Sequence, residues 1–351
     1  MRWCTILLFA ALVVLLPAPA WAWGPAAHLE FSLAVLRDLV LIAPAVAALL
    51  KRFPDDFIYG SIAADITQAK NLTPYHQHCH NWQVGFAVLD RAEQDDIRAF
   101  AWGYLSHLAA DVVSHNYFVP YKMVQDYRRR GVPHVYWETR FETLVNPEAW
   151  ELARRLSTRA YRQHDRHLRA ILEGTLLPFR VNKQIFSGLV LLNRFMGWQR
   201  LAEAQARRTP ISLDPAEMQD LRGLCMERVF DLLAHGPEAQ CLLSDPTGHR
   251  NLILARSMRK RLRALHHDGR LLRPDSIGEQ FKLLFRNAIT ATIDLPSRKS
   301  PQSVVLRLRH PKAAPIQRVT VSGKPWTDFN QDKETITLKG LTGTVTVTAQ
   351  Y

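Results

Sequence analysis

Three potential metal ligands recur at steps of four within an apolar stretch, and this pattern constrains the chain more than any other. His107, Asp111 and His115 are separated mainly by leucine, alanine and valine. Residues four apart lie on one face of an α-helix, so these side chains would line a face about 12 Å long. That length is too great for one ion and suits a row of neighbouring ions with Asp111 between them.

Hydrogen-bonded histidines in an ordinary core helix would also explain the triplet, because buried polar groups need partners. Further candidate ligands on both sides favour metal. His134 and Glu138 form a second pair four residues apart, although such a pair can also simply stabilise an exposed helix. The candidates upstream are His28, Asp65, His76, His78 and His80.

Residues 1–22 have the features of a secretory signal peptide. Arg2 gives a positive start, residues 6–16 are apolar, and residues 20–22 (Ala, Trp, Ala) offer a small-x-small cleavage site. The apolar run is too short for a typical membrane-spanning helix. We therefore expect a secreted or periplasmic protein whose mature chain begins at Trp23, with an uncleaved amino-terminal anchor as the alternative.

The composition excludes a disordered chain and favours anionic partners. Of the 351 residues, 47% are apolar and 22% are charged, which is typical of globular proteins. The formal net charge of +13 suits phosphate esters, anionic lipid head groups or nucleic acid. Arginine on solvent-exposed helix faces would give the same balance, so the charge alone does not choose a partner.

The cysteines make one disulfide conceivable. Cleavage after residue 22 leaves Cys79, Cys225 and Cys241, an odd number, in an oxidising compartment. Cys225 and Cys241 are the more plausible bridge because they are close in sequence and lie outside the histidine cluster. We expect Cys79 to be a buried thiol, with a role as a soft metal ligand as the alternative.

The hydrophobic pattern predicts a mainly α protein. Residues 23–299 show the spacing of amphipathic and buried helices, interrupted by prolines, whereas residues 300–351 contain alternating runs separated by glycine-rich turns. We predict a helical domain over 23–299 and a small antiparallel β-rich unit over 300–351. Pro120 is expected to end the helix that carries the triplet.

The ordered set of motifs resembles the zinc-dependent phospholipase C family, which shares its helical fold with P1-type nucleases. The resemblance rests on the triplet, the following His134–Glu138 pair, the upstream Asp65 and histidines, and Trp23 as the new amino terminus. It covers roughly residues 23–145, and the start of the mature chain is also similar to the zinc domain of glycosylphosphatidylinositol-specific phospholipase D. The family's toxins carry a lipid-binding β-sandwich after the catalytic domain, and residues 300–351 are too few for that module.

The resemblance implies up to three zinc ions. It assigns Asp65, His78, His107 and Asp111 to the first ion, with His80 as the alternative to His78. It assigns the α-amino and carbonyl groups of Trp23, with His28 and the shared Asp111, to the second. His115, His134 and Glu138 would hold the third.

The function that follows is cleavage of a phospholipid by a metal-activated water, as in a phospholipase C. Asp65 is the expected catalytic carboxylate, which would ligate a zinc ion and orient or deprotonate that water. The partners expected are a phospholipid or another phosphodiester and, peripherally, an anionic membrane surface, with nucleic acid less favoured. The alternatives are a P1-type nuclease, a phospholipase D-type hydrolase and a non-catalytic exported protein stabilised by zinc.

Overall fold

The computed structural model describes residues 23–67, 79–129, 134–158, 161–172, 178–192, 211, 213–269, 288–295, 302–308 and 315–351. The described residues fall into two compact units, one within Met1–Met123 and Arg128–Ser257 and the other within Val124–Tyr127 and Met258–Tyr351. The expected signal peptide, residues 1–22, lies outside the described part of the chain and stays a prediction. None of the described helices is both long and apolar enough to cross a bilayer.

The helices confirm the predicted mainly α class. They are α1 Pro25–Arg37, α2 Pro44–Arg52, α3 Pro54–Ala63, α4 Trp82–Asp90, α5 Asp95–Val113, α6 Val119–Gln125, α7 His134–Glu142, α8 Pro147–Thr158, α9 Arg162–Ile171, α10 Phe179–Leu192, α11 Pro215–His235 and α12 His249–His267.

The central helix of the first unit is α5, which packs against α3, α11 and α4. It is buried on nearly every side because its sequence is apolar around the whole circumference. α3 and α5 approach through two glycines. A Cβ on Gly60 would lie 1.9 Å from the carbonyl oxygen of Phe100, and one on Gly103 would lie 2.0 Å from that of Phe57. Only residues without a side chain permit this backbone contact.

The helical path does not end at Pro120, contrary to the prediction. Ser114–Phe118 form one π-helical turn directly after α5, and α6 follows without a break. Pro120 is the second residue of α6, a position where its missing N–H is tolerated. The wider turn before it relieves the clash that a proline ring causes inside a regular α-helix.

The second unit contains two antiparallel sheets, as the alternating runs predict. Their strand orders are β1-β7-β3-β4 and β2-β6-β5. The strands are β1 Ala288–Leu295, β2 Ser303–Arg307, β3 Arg318–Val321, β4 Lys324–Trp326, β5 Phe329–Asn330, β6 Thr335–Lys339 and β7 Gly343–Gln350. Both sheets bury alternate side chains in one apolar cluster.

The first strand lies before the predicted boundary at residue 299. Ala288–Leu295 pairs with Gly343–Gln350 along its full length. Its sequence is rich in isoleucine and threonine, which favour strands, but it directly follows a stretch read as helical. The β-rich part of the chain therefore begins earlier than its most obvious alternating runs.

The predicted Cys225–Cys241 bridge is wrong, because the described cysteines are buried thiols outside any disulfide. Cys225 lies on α11, and its Sγ approaches the carbonyl oxygen of Ala110 on α5. Cys241 lies instead beside Asp231, whose carboxylate accepts its backbone N–H at 2.9 Å. Burial raises the pKa of Cys225 well above its usual value, and burial with the nearby Asp231 raises that of Cys241 to about 12. Both are thiols rather than thiolates at neutral pH.

Candidate metal centre

His107 and Asp111 lie one turn apart on α5 and form the middle of a buried polar cluster. Nε2 of His107 is 3.2 Å from Oδ2 of Asp111. Nδ1 of His107 is 2.8 Å from the carbonyl oxygen of Ser61. Because a carbonyl can only accept, Nδ1 carries the proton and Nε2 presents its lone pair to the cluster. The helical spacing seen in the sequence therefore produces the expected shared face.

Asp65 comes to this face from the end of α3. It lies in the 3₁₀ turn Ala64–Ile66 and is fully buried. Its Oδ1 is 3.3 Å from Nε2 of His80 and 4.0 Å from Nε2 of His107. The glycine contact between α3 and α5 sets this distance, since it fixes how closely the end of one helix approaches the other.

Of the 71–82 segment the structure describes residues 79–82, and among these His80 lies at the cluster. Its Nε2 lies 2.9 Å from Nε2 of His107 and 3.2 Å from Oδ2 of Asp111. The preferred residue, His78, lies outside the described residues. Cys79 is buried as expected, and its Sγ is 3.2 Å from Nδ1 of His80, on the ring edge away from Asp65 and Asp111.

His28 enters from α1. Its Nε2 is 3.3 Å from Oδ1 of Asp111, and its ring stacks on that of His107 at 3.7 Å between centroids. Burial, followed by the neighbouring His107, lowers the pKa of His28 to about 4. The imidazole is therefore neutral at pH 7, which is the form that binds metal.

Asp111 stays ionised although it is buried. Burial acts to raise its pKa, but the charge of His107 and the close polar contacts with His107, His28 and His80 together outweigh burial and hold the pKa well below its usual range. A buried carboxylate surrounded by imidazoles is the arrangement expected of a ligand between two cations.

A second group lies at the end of the triplet. His115 is in the π turn, and its Nε2 is 3.7 Å from Oε1 of Glu138 on α7. The rings of His115 and His80 are 6.5 Å apart between centroids. His134 is the first residue of α7, one turn before Glu138, while its side chain lies outside the description. Its role as a ligand stays a prediction.

Trp23 lies within the same region, fully buried. Its indole Nε1 donates to the carbonyl oxygen of Ala110 at 3.0 Å. Its ring packs on Phe118 and Phe141 with centroids 5.1 and 4.0 Å away. The first expected residue of the mature chain therefore bonds to the residue that directly precedes Asp111 in the sequence. The use of its α-amine as a ligand stays a prediction.

Sequence reasoning missed Glu142, which supports the ligand set from one turn beyond Glu138. Its carboxylate accepts the backbone N–H groups of Ala26 at 3.2 Å and Ala27 at 2.9 Å, at the start of α1. These bonds tie α7 to the helix that carries His28. The spacing of four from Glu138 was the available signal, because it places both acids on one face.

The donor set fits zinc. His28, His107 and Asp111 form one group of donor atoms within 4.8 Å, and Asp65, His80 and His107 form another. Imidazole nitrogen and carboxylate oxygen are ordinary zinc ligands. Both oxygens of Asp111 are buried without a hydrogen bond of good geometry, although imidazole nitrogens lie 3.2–3.3 Å away. Such oxygens are costly unless a cation binds them.

The model of the family described as zinc-dependent phospholipase C matches residues 27–177. The match confirms the resemblance seen in the sequence. It supports zinc binding at the cluster and a phospholipid substrate. The matched segment contains every predicted ligand except Trp23. Neither the curated proteins nor the solved structures contain a significant match to the chain.

Proposed function

We propose that the protein is a secreted, zinc-dependent phospholipase C that hydrolyses the phosphodiester of a phospholipid on its glycerol side. Water would add its oxygen to phosphorus, and the glycerol oxygen would leave and take up a proton. The products are diacylglycerol and a phosphorylated head group. The observation that carries the proposal is the convergence of Asp65, His80, His107, Asp111 and His28 in a family segment that uses zinc.

The buried side chains of the cluster would have two roles, to hold zinc and to act on the attacking water. Asp65, His80 and His107 would hold one ion and His28 a neighbouring one, with one carboxylate oxygen of Asp111 available to each. Zinc in such a site supplies positive charge for the phosphoryl oxygens and acidity for a water. Asp65 is a buried carboxylate within this group, so it can also orient that water and accept its proton.

A P1-type nuclease is the alternative reaction of this scaffold. It would need aromatic rings exposed for base stacking. Tyr121 and Trp137 are buried, while Trp82 is half-buried and donates its indole N–H to the carbonyl oxygen of Ser244 at 2.8 Å. These contacts favour a packing role for the three rings and leave phospholipid as the preferred substrate.

The experiment is product analysis with the purified mature protein. Phosphatidylcholine vesicles should yield diacylglycerol and phosphocholine, and a chelator should abolish the reaction. Phosphatidic acid and choline would indicate phospholipase D chemistry, and cleavage of single-stranded DNA would indicate a nuclease. Hydrolysis that is indifferent to chelation would exclude the metal mechanism.

A matched pair of variants tests the role of Asp65. Asp65→Asn should reduce turnover by at least about 100-fold, the usual loss when a proton acceptor is removed. Asp38→Asn changes an exposed aspartate at the end of α1 and should leave turnover within about twofold of wild type. Equal activities of the two variants would reject Asp65 as the catalytic carboxylate.

A further inference from the structure

A short turn far along the chain contacts the third histidine of the triplet. This turn, Ser244–Gly248, precedes α12 and lies outside the family match at residues 27–177. Nδ1 of His115 is 2.5 Å from the carbonyl oxygen of Pro246. A carbonyl only accepts hydrogen bonds, so Nδ1 is the protonated nitrogen. Nε2 then keeps its lone pair on the edge that faces Glu138, 3.7 Å away.

The turn is anchored to the π turn and to α4 by side chains on both sides. Nδ2 of Asn116 donates to the carbonyl oxygen of Asp245 at 2.8 Å. Asn251, in the first turn of α12, donates to the backbone carbonyl of Asn116 at 3.2 Å. Trp82 donates its indole N–H to the carbonyl oxygen of Ser244. Two of these bonds hold the residues just before Pro246, and the third ties the helix that follows the turn to the π turn.

The turn is also ordered by its own hydrogen bonds. Oδ1 of Asp245 accepts the N–H of Thr247 at 2.9 Å, and Oδ2 accepts its hydroxyl at 2.7 Å. The N–H of Gly248 donates to the carbonyl oxygen of Asp245 at 3.0 Å. Such an aspartate-centred turn is stabilised locally by its own side chain.

Gly248 makes the close approach to His115 possible. Its φ is +56°, and a Cβ there would lie 2.3 Å from the carbonyl oxygen and 2.5 Å from the Cβ of His115. No side chain fits in that space, and the left-handed φ itself favours glycine. A glycine at the end of this turn is therefore required by the position of His115.

We propose that the Ser244–Gly248 turn is a positioning element for the metal centre, with the carbonyl of Pro246 fixing the tautomer and ring orientation of His115. The inference rests on the proposed function, because it assumes that His115 binds zinc. It adds to that function a segment that the family match does not contain. Hydrogen bonds of this kind to the second nitrogen of a ligating histidine commonly change metal affinity 10–100-fold.

The test compares two glycine substitutions at positive φ. Gly248→Ala places a methyl group against His115, whereas a Cβ on Gly236, whose φ is +57°, would lie 3.7 Å from its nearest neighbour. Zinc bound per chain is measured at a series of buffered free zinc concentrations. Gly248→Ala should weaken binding of the zinc ion assigned to His115 at least about tenfold relative to Gly236→Ala. Equal zinc affinities in the two variants would overturn the proposal.

A second variant covers the outcome in which Gly248→Ala does not fold. Asn116→Leu keeps the size of the side chain but removes its donor to the carbonyl of Asp245, and it should weaken the same zinc. ¹⁵N NMR of the histidine rings reports the tautomer of His115 directly, and a change in the stability of the fold alone would not alter that signal. It should show the Nδ1-protonated form of His115 in wild type and a mixture of tautomers in Asn116→Leu. Wild-type affinity and a wild-type ring signal in this variant would refute the positioning role.

The outcomes separate this inference from the function on which it rests. A wild-type protein that binds zinc and hydrolyses phospholipid, with variants that bind zinc equally well, would leave the phospholipase proposal standing and reject the positioning role. A wild-type protein that binds no zinc would reject both.

Discussion

At the scale of single residues, the ligand set depends on which histidine of a crowded segment faces the metal. Residues 76, 78 and 80 are all histidine, and the sequence has no period that selects one of them. Among the described residues, His80 lies at the cluster, with its Nε2 3.2 Å from Asp111 and 3.3 Å from Asp65. These neighbours are distant in sequence, and His78 as a ligand stays a prediction.

Substitution of the two histidines tests this choice. We expect His80→Gln to reduce zinc affinity by at least about 100-fold, because a direct ligand contributes more than an outer partner does. His78→Gln is the matched control and should keep the zinc content of wild type. Metal analysis after dialysis at a fixed free zinc concentration measures both. If only His78→Gln lost bound zinc, His78 rather than His80 would be the ligand.

The buried acid Glu142 gives a second prediction, for the metal-free protein. Burial raises its pKa to about 8, with the charges of Asp65 and Glu30 adding to burial and the backbone bonds from Ala27 and Ala26 opposing it. The folded state thus holds the proton more tightly than the unfolded chain does. The contribution of Glu142 to the free energy of unfolding should be greatest below about pH 4.5 and should fall as the pH rises to about 8.

The size of this fall is at most roughly 5 kcal/mol, since one pKa unit corresponds to about 1.4 kcal/mol. Urea unfolding of chelated protein at pH 5, 6.5 and 8 measures it. Glu142→Gln should flatten the decline, whereas Glu148→Gln, an exposed acid near the start of α8, should not. Parallel pH profiles for all three proteins would contradict the raised pKa.

At the scale of elements, the contact between α3 and α5 determines where Asp65 meets His107. Gly60 and Gly103 let the two backbones touch, and a Cβ on Gly103 would lie 2.9 Å from the backbone nitrogen of Ser61. The carbonyl of Ser61 in turn holds Nδ1 of His107. A change in helix separation would therefore alter both the orientation of the histidine and the approach of the carboxylate.

Gly103→Ala should destabilise the protein by about 1–3 kcal/mol or more, because overpacking forces the backbones apart. It should also weaken zinc binding. Gly223→Ala is the control, since it adds a methyl group on α11 where nothing lies within 4 Å and should be neutral or slightly stabilising. Thermal unfolding and zinc titration measure both effects. Unchanged zinc affinity in a folded Gly103→Ala variant would show that the helix contact does not set the site.

The elements also show what the sequence could and could not predict. The face of α5 follows from a period of four in an apolar helix, so His107 and Asp111 could be placed together from local pattern alone. The contact between His115 and Pro246 spans 131 positions, and no local period signals it. The wrong disulfide prediction has the same origin, because closeness in sequence does not show that Cys225 and Cys241 face different neighbours.

At the scale of the whole molecule, zinc should stabilise only one of the two units. The predicted ligands all lie within the unit of Met1–Met123 and Arg128–Ser257. The second unit is organised around the apolar cluster of its two sheets, and its described residues contain none of the predicted ligands. Ligand binding adds to the stability of the state that contains the site, so the effect of metal should differ between segments of a single chain.

Hydrogen exchange with and without a chelator tests this difference. Removing zinc leaves Asp65 and Asp111 buried beside three imidazoles without a cation, so exchange should rise in α1, α5 and the π turn. Exchange in β1 and β7, which pair along their full length, should change little, and these strands serve as the internal control. Added zinc should restore protection. A uniform change across both units would mean that metal acts on the fold as a whole, and no change in α5 would mean that its histidines do not bind it.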